Sequence, residues 1–138
     1  MAANFKYLII EKRGHLLIAK FNYPEKKNAW NINFRREIIS VLKIATEDDS
    51  VTILALTGVG DFYSSGNDMS ISTMSLDEDY INKTIEVLRV MIRSFFTFPK
   101  ILVAVVNGPC IGIAATTAAL CDIIYTAENV CINLKCLY

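Results

Sequence analysis

The chain has no run of about 18 uninterrupted apolar residues, so no segment of it reads as a bilayer-spanning helix. Nor does it carry a surplus of charge. Lys and Arg number 14, as do Asp and Glu, which leaves no basic field to draw in nucleic acid. Histidine occurs once, at His15, and the four cysteines, Cys110, Cys121, Cys131 and Cys136, include no Cys-x-x-Cys pair. That spacing argues against a zinc site, and the thiols read instead as small, reduced core residues. Met1 to Lys12 lacks the apolar centre of a signal peptide and the Arg-rich pattern of a transit peptide. The residues Lys135-Cys136-Leu137-Tyr138 are not a Ser-Lys-Leu address. Repeats, low-complexity tracts and linkers are also missing, so the 138 residues make one domain at most.

What the chain does have is apolar character. Hydrophobic residues make up 53% and the mean hydropathy is +0.36. The excess is expected to pack against further chain or other subunits.

Lys6 to Lys12 and His15 to Asn22 are β-rich runs around Arg13-Gly14, the pattern of a hairpin. The polar turn at Pro24-Glu25-Lys26-Lys27-Asn28 precedes a helix predicted over Ile32 to Glu47. There Phe34, Ile38, Val41, Leu42 and Ala45 recur at helical spacing and Asn31 is the cap. Val51 to Thr57 is nearly all apolar, as in a strand buried on both faces. A loop from Gly58 to Asp68 leads to a second helix over Asp77 to Phe98, with a stripe at Ile81, Ile85, Leu88, Ile92 and Phe95 and a stop at Pro99. Ile101 to Val106 is predicted as a buried strand, Ile111 to Leu120 as a tightly packed helix, and Cys121 to Thr126 as a third buried strand. Strands alternating with helices predict an α/β chain with parallel pairing.

Two glycine-bearing loops follow buried strands: Tyr63-Ser64-Ser65-Gly66-Asn67-Asp68, and Asn107-Gly108-Pro109-Cys110-Ile111-Gly112-Ile113. Ligands collect beyond the carboxyl ends of strands in open α/β sheets, and glycine lets backbone N–H groups approach them closely. The first N–H groups of a helix lack internal partners and carry partial positive charge. Side by side, two such loops aim two N–H groups at one oxygen, an oxyanion hole. The plainer reading of each glycine is a turn. A dinucleotide site fails sooner, because Tyr63 stands where the third glycine after Gly58-Val59-Gly60 belongs, and the stretch has no Lys-Ser/Thr of a P-loop.

Several motifs resemble those of the crotonase (enoyl-CoA hydratase/isomerase) superfamily. Asn22-Tyr23-Pro24-Glu25-Lys26-Lys27-Asn28-Ala29 resembles its N-R-P-x-K-x-N-A motif, and Asp49-Ser50-Val51 with Leu56-Thr57-Gly58 its D-x-V and L-T-G signature. Phe62-Tyr63-Ser64-Ser65-Gly66-Asn67-Asp68-Met69 resembles its first oxyanion loop. Pro99-Lys100, Ala104 to Pro109, Gly112 and Cys121-Asp122-Ile123-Ile124-Tyr125 resemble the second loop and its flanks. The wording Ser-Ser-Gly-Asn-Asp and Gly-Pro-Cys-Ile-Gly-Ile-Ala is most like the peroxisomal or mitochondrial Δ3,Δ2-enoyl-CoA isomerases of fatty-acid β-oxidation.

The resemblance implies a crotonase-like ββα spiral, truncated, with residues 1–138 a partial domain lacking its C-terminal half. It implies acyl-CoA as ligand with no further cofactor, a trimer for the full-length family, and a peroxisomal or mitochondrial location. It assigns the oxyanion donors to the backbone N–H groups of Asn67 and Ile113. Ser64, Ser65, Gly66, Asn67, Asp68 and Gly112 would line the substrate, and Lys26, Asn28 and Ala29 would form the CoA-contact loop. Lys26 and Lys27 suit either phosphate or simple solvation. Asp68 and Asp122 are expected to hold structure rather than to act as bases.

Hydratases of the superfamily use two glutamates. The position matching the one in the second-loop helix is Thr116, flanked by Ala115 and Thr117, and none of these is a general base near neutral pH. An isomerase needs one base to move a proton from C2 to C4, and the family's glutamate for this lies further along than Tyr138. Glu128, the only carboxylate after Asp122, sits at a strand exit. The expectation is therefore an oxyanion hole with no catalytic residue among these positions. A non-catalytic CoA-binding or interaction module and an inactive fragment are the alternatives.

Overall fold

The computed structural model describes residues 4–70, 77–128 and 130–134. Strands β1 (Leu8–Arg13) and β2 (Leu16–Phe21) pair antiparallel, Leu8 with Phe21 through Arg13 with Leu16. Their turn is Gly14-His15, one residue later than the sequence pattern predicted. Gly14 takes a φ of +58° there, which glycine adopts without steric cost, and His15 Nδ1 lies 2.8 Å from the Ser50 carbonyl oxygen.

Helix α1 (Ile32–Glu47) begins where Asn31 accepts the Phe34 N–H at 2.9 Å, the expected cap. Its predicted stripe of Phe34, Ile38, Val41, Leu42 and Ala45 is buried, and Arg35 is buried with it. At its far end Lys100 Nζ donates to the carbonyls of Ala45 at 2.6 Å and Asp48 at 2.7 Å, taking up acceptors that a helix terminus leaves open.

Strand β3 (Ile53–Gly58) lies parallel to β2, with Leu16 beside Ile53. Helix α2 (Glu78–Phe96) packs on α1. Met91 and Phe95 are buried and Leu88 and Ile92 half-buried, whereas Ile81 and Ile85 of the predicted stripe are exposed, Ile85 by 57%. Strand β4 (Ile101–Val106) runs parallel to β3.

The predicted helix over Ile111 to Leu120 is in fact two elements. Cys110–Ile111 is a short strand, β5, and helix α3 covers Ile113–Ala119. Gly112 separates them with φ +59° and ψ −124°, a backbone conformation that ends the strand and leaves Ile113 as the first helical residue. Strand β6 (Ile123–Thr126) completes a five-stranded sheet in the order β1-β2-β3-β4-β6, and β7 (Ile132–Asn133) pairs with β5 alone. The Asp122 carboxylate accepts the Leu102 N–H at 2.8 Å while its own N–H donates to the Leu102 carbonyl, locking β6 onto β4. Asp122 is thus structural, as expected.

The prediction of β6 as buried is wrong for this chain. It is the sheet's edge, and all four of its residues are exposed, Tyr125 by 62%. Ile101 and Val105 of β4 are exposed on the same face as Ile123 and Tyr125, because the register sets Val103 beside Ile123 and Val105 beside Tyr125. No described element covers that face. The core lies on the other side, around Tyr7, Phe21, Trp30, Phe34 and Tyr63, whose contacting ring pairs have centroids 5.1 to 6.1 Å apart.

Among the described residues the cysteines are free thiols, as read from the sequence, while Cys136 lies outside them. Burial pushes Cys110 and Cys121 up to about 12, Asp122 adding to the effect at Cys121. At pH 8 the thiolate fraction of each is then about 10⁻⁴, so alkylation of the native protein is expected to label exposed Cys131 and to reach Cys110 and Cys121 only after unfolding. Peptide mass mapping of labelled native and denatured samples checks this. The Lys100→Met substitution is expected to lower stability by about 1–3 kcal/mol, because two carbonyls lose a charged donor, measurable by urea unfolding.

Candidate functional site

Beyond the carboxyl ends of β3 and β4 three loops are laced by backbone hydrogen bonds into a second small ladder. Trp30 N–H donates to Gly66 O at 2.7 Å, and Asp68 N–H donates to Trp30 O at 3.2 Å. Ser64 N–H donates to Pro109 O at 3.2 Å, and Ile111 N–H to Ser64 O at 3.0 Å. Cys110 and Gly112 N–H groups continue the ladder to the carbonyls of Cys131 and Asn133. Loops 22–31, 58–70 and 107–113 are therefore tied to one another through main-chain hydrogen bonds.

The side chain of Asn28 pins two of these loops together. It is wholly buried at φ +54°, a conformation asparagine tolerates better than most residues. Its Oδ1 accepts the Tyr23 N–H at 2.8 Å, and its Nδ2 donates to Val59 O at 3.0 Å and Phe62 O at 2.9 Å. Its carbonyl accepts the Ser64 hydroxyl at 2.8 Å, and Ser64 Oγ in turn accepts the Gly66 N–H at 3.0 Å. Asn107 does similar work between the strand ends, accepting the Gly58 N–H at 2.9 Å and donating to Gly60 O at 3.0 Å.

A cleft of about 400 Å³ opens where the loops meet. Of the residues singled out in the sequence, Lys26, Ala29, Ser65, Asn67, Asp68 and Gly112 line it. Asn28, Ser64 and Gly66 are buried behind its wall, where they hold the loops rather than face the opening. Ile113 follows Gly112 and is half-buried at the start of α3. Gly66 has φ +89°, and a Cβ there would meet the Ile111 carbonyl oxygen at 2.7 Å. The two glycine loops are thus in direct van der Waals contact.

Asn67 and Ile113 are among the residues whose backbone donors this lattice leaves unused. In the Trp30–Asn67 bridge the peptide groups of Gly66 and Asp68 face Trp30, so the N–H and C=O of Asn67 turn the other way. Neither the Asn67 N–H nor that of Ile113 donates to any acceptor among the described residues. Among the described residues Asp68 is the only carboxylate lining the cleft, and it accepts the Ser70 N–H at 3.0 Å and the Ser70 hydroxyl. Thr116 is exposed on α3, its hydroxyl donating to Gly112 O at 3.3 Å. No group of three or more His, Cys, Asp or Glu gathers in metal-binding geometry among the described residues.

The sequence reading gave no separate role to the side chains of Phe62, Ile111, Tyr63 and Arg35. Lys27, weighed with Lys26 as a phosphate ligand, lines the cleft with its Nζ 5.2 Å from the Phe62 ring centroid, and Phe62 and Ile111 add apolar wall. Tyr63 is buried with no partner for its hydroxyl, and burial raises its phenol well above the ordinary value. Arg35 is also buried, its Nη2 donating to Asn67 Oδ1 at 2.8 Å. Burial holds its guanidinium below the usual arginine value, with Tyr80 opposing the shift. A signal for Arg35 was present: it shares the helical spacing of Ile38, Leu42 and Ala45.

Comparison with known proteins agrees with this architecture. Residues 11–137 match the enoyl-CoA hydratase/isomerase family. The chain is 42% identical over 130 residues to enoyl-CoA delta isomerase 2 of Rattus norvegicus, covering 93% of this chain and 33% of that protein. It is 39% identical over 130 residues to the peroxisomal enoyl-CoA delta isomerase 3 of Mus musculus, covering 93% of this chain and 41% of that protein. A crystal structure of an enoyl-CoA hydratase/isomerase from Mycobacterium paratuberculosis superposes with a TM-score of 0.86 at 29% identity, over 92% of this chain and 52% of that one. The chain thus spans a third to two-fifths of these curated relatives and about half of the solved structure. A truncated crotonase fold, with its loops laced beyond the parallel strands, and a family match across nearly all of its length establish that the chain belongs to the enoyl-CoA hydratase/isomerase family.

Proposed function

We propose that these 138 residues bind acyl-CoA and polarise its thioester as the oxyanion part of an enoyl-CoA Δ3,Δ2-isomerase of fatty-acid β-oxidation. The observation that carries this reading is the pair of unspent N–H groups, Asn67 and Ile113, on two abutting glycine loops beside one cleft. Two donors on one thioester oxygen favour the enolate over the neutral carbonyl, each worth about 3–4 kcal/mol toward a barrier in comparable sites. Isomerisation removes a proton from C2, holds the electron pair on that oxygen, and returns a proton at C4. No cofactor is consumed. Lys26 and Lys27 at the cleft suit the phosphates of CoA.

The proton transfer itself is assigned to a base outside these residues. Asp68 is engaged by Ser70, Thr116 is no base, and Glu128 is not among the residues of the cleft. Thr116 at the position of a hydratase glutamate also favours isomerisation over hydration. A trimeric assembly and a peroxisomal or mitochondrial location complete the proposal, on the strength of the family relationship.

Calorimetric titration of the 138-residue chain is expected to show hexanoyl-CoA binding at least about fivefold tighter than CoA, since the carbonyl adds two hydrogen bonds. Equal affinities would favour a CoA-binding module that does not grip the thioester, and absence of binding would sink both readings. The same chain is expected to give no turnover of 3-hexenoyl-CoA. Turnover would show that the base lies within it. The Gly66→Ala substitution adds a side chain at φ +89° against Ile111 and forces the loops apart, so thioester affinity is expected to fall by about tenfold or more in the same titration.

A further inference from the structure

Arg35 stands on the core face of α1 with 5% of its surface exposed. One of its nitrogens, Nη2, donates to Asn67 Oδ1 at 2.8 Å, and Nε and Nη1 have no hydrogen-bond partner among the described residues. None of the ion pairs among the described residues involves it. A buried guanidinium without a counter-charge is costly to keep, and with little water to screen it, its field reaches neighbouring dipoles at nearly full strength. Asn67, whose amide it grips, is also the residue whose backbone N–H is turned away from Trp30 and left without an acceptor. The grip holds the Asn67 side chain toward α1, and the Trp30 bridge holds the flanking peptides. Between them the orientation of the Asn67 peptide is set from both sides.

We propose that Arg35 is a positioning residue for the oxyanion site. Through the Asn67 side chain it fixes the loop peptide and places an uncompensated positive charge behind it, so that the cleft favours the enolate anion of an acyl thioester over the neutral thioester. This rests on the reading of the Asn67 N–H as an oxyanion donor. A merely structural Arg35 would support neutral and anionic ligands equally. A positioning Arg35 separates them.

The test uses two ligands of similar size. Acetoacetyl-CoA loses its C2 proton to solvent and carries the electron pair on its oxygens as an enolate with its own ultraviolet band. Butyryl-CoA does not ionise in the accessible pH range. The full chain is titrated with each over neutral to alkaline pH, as wild type, Arg35→Met, Asn67→Ala and the double variant. Each single change is expected to weaken enolate binding about tenfold, raising the apparent pKa of bound acetoacetyl-CoA by about one unit, while butyryl-CoA affinity changes less than about threefold. The double variant is expected to match Arg35→Met within about threefold, because loss of the guanidinium already removes both the charge and the contact to Asn67. Asn67→Ala keeps the backbone donor and the cation, and it carries the test if Arg35→Met gives no cooperative melting transition. Equal losses for the two ligands, or no loss for the enolate, would overturn the proposal while leaving the cleft as a thioester site. Failure of the wild type to bind either ligand would instead remove the oxyanion reading, and the role of Arg35 with it.

Discussion

The amide of Asn28 has no contact with solvent, and three backbone groups in two loops depend on it. Were it absent, the Tyr23 N–H and the carbonyls of Val59 and Phe62 would lose their partner in a place where water could not replace it, at a cost of about 1–3 kcal/mol for each orphaned group. The same residue presents its carbonyl to Ser64, whose hydroxyl then receives the Gly66 N–H. One buried side chain thereby decides the path of the first glycine loop, and the contact between Gly66 and Ile111 passes that decision to the second. The cleft is what remains once these constraints are met.

A site built this way has its donors in the main chain. Their directions follow from which peptides the ladder has already used, so Asn67 and Ile113 are left over by the same logic that engages Gly66, Asp68 and Gly112. The side chains near the cleft then contribute shape and field. Phe62 and Ile111 supply apolar wall, Lys26 and Lys27 supply positive charge, and Arg35 adds a buried cation with one hydrogen bond. In the proposed function, a thioester oxygen acquiring negative charge would meet several groups that favour it. The uncovered apolar face of β4 and β6, together with Ile81 and Ile85 on α2, lies apart from this arrangement.

Periodicity served well where an element is local and its burial is settled within the described residues. The stripe of α1 and its Asn31 cap, the hairpin, and the apolar runs of β3 and β4 all fall close to their predicted limits. It served less well where burial depends on a neighbour. Ile123, Ile124 and Tyr125 have the composition of a buried strand, but β6 is an edge without a covering layer. The run Ile111 to Leu120 reads as one apolar helix, because nothing local reveals that Ile111 pairs with Asn133, next to Cys110 with Ser64 and Ile132.

The sequence by itself determined the alternation of strands and helices, the two glycine loops after β3 and β4, and the family to which their wording belongs. These are encoded in residues near one another along the chain: apolar spacing, caps, and glycines where the backbone turns sharply. Only the tertiary structure decided that Asn28 and Ser64 stand behind the cleft instead of lining it, that the N–H groups of Asn67 and Ile113 are among those left unspent, and that Arg35 reaches Asn67. Each of those facts is a hydrogen bond or a vacancy between segments some 30 or more residues apart, or the consequence of one. Which peptide groups remain free can be known only after every other partner has been assigned in three dimensions.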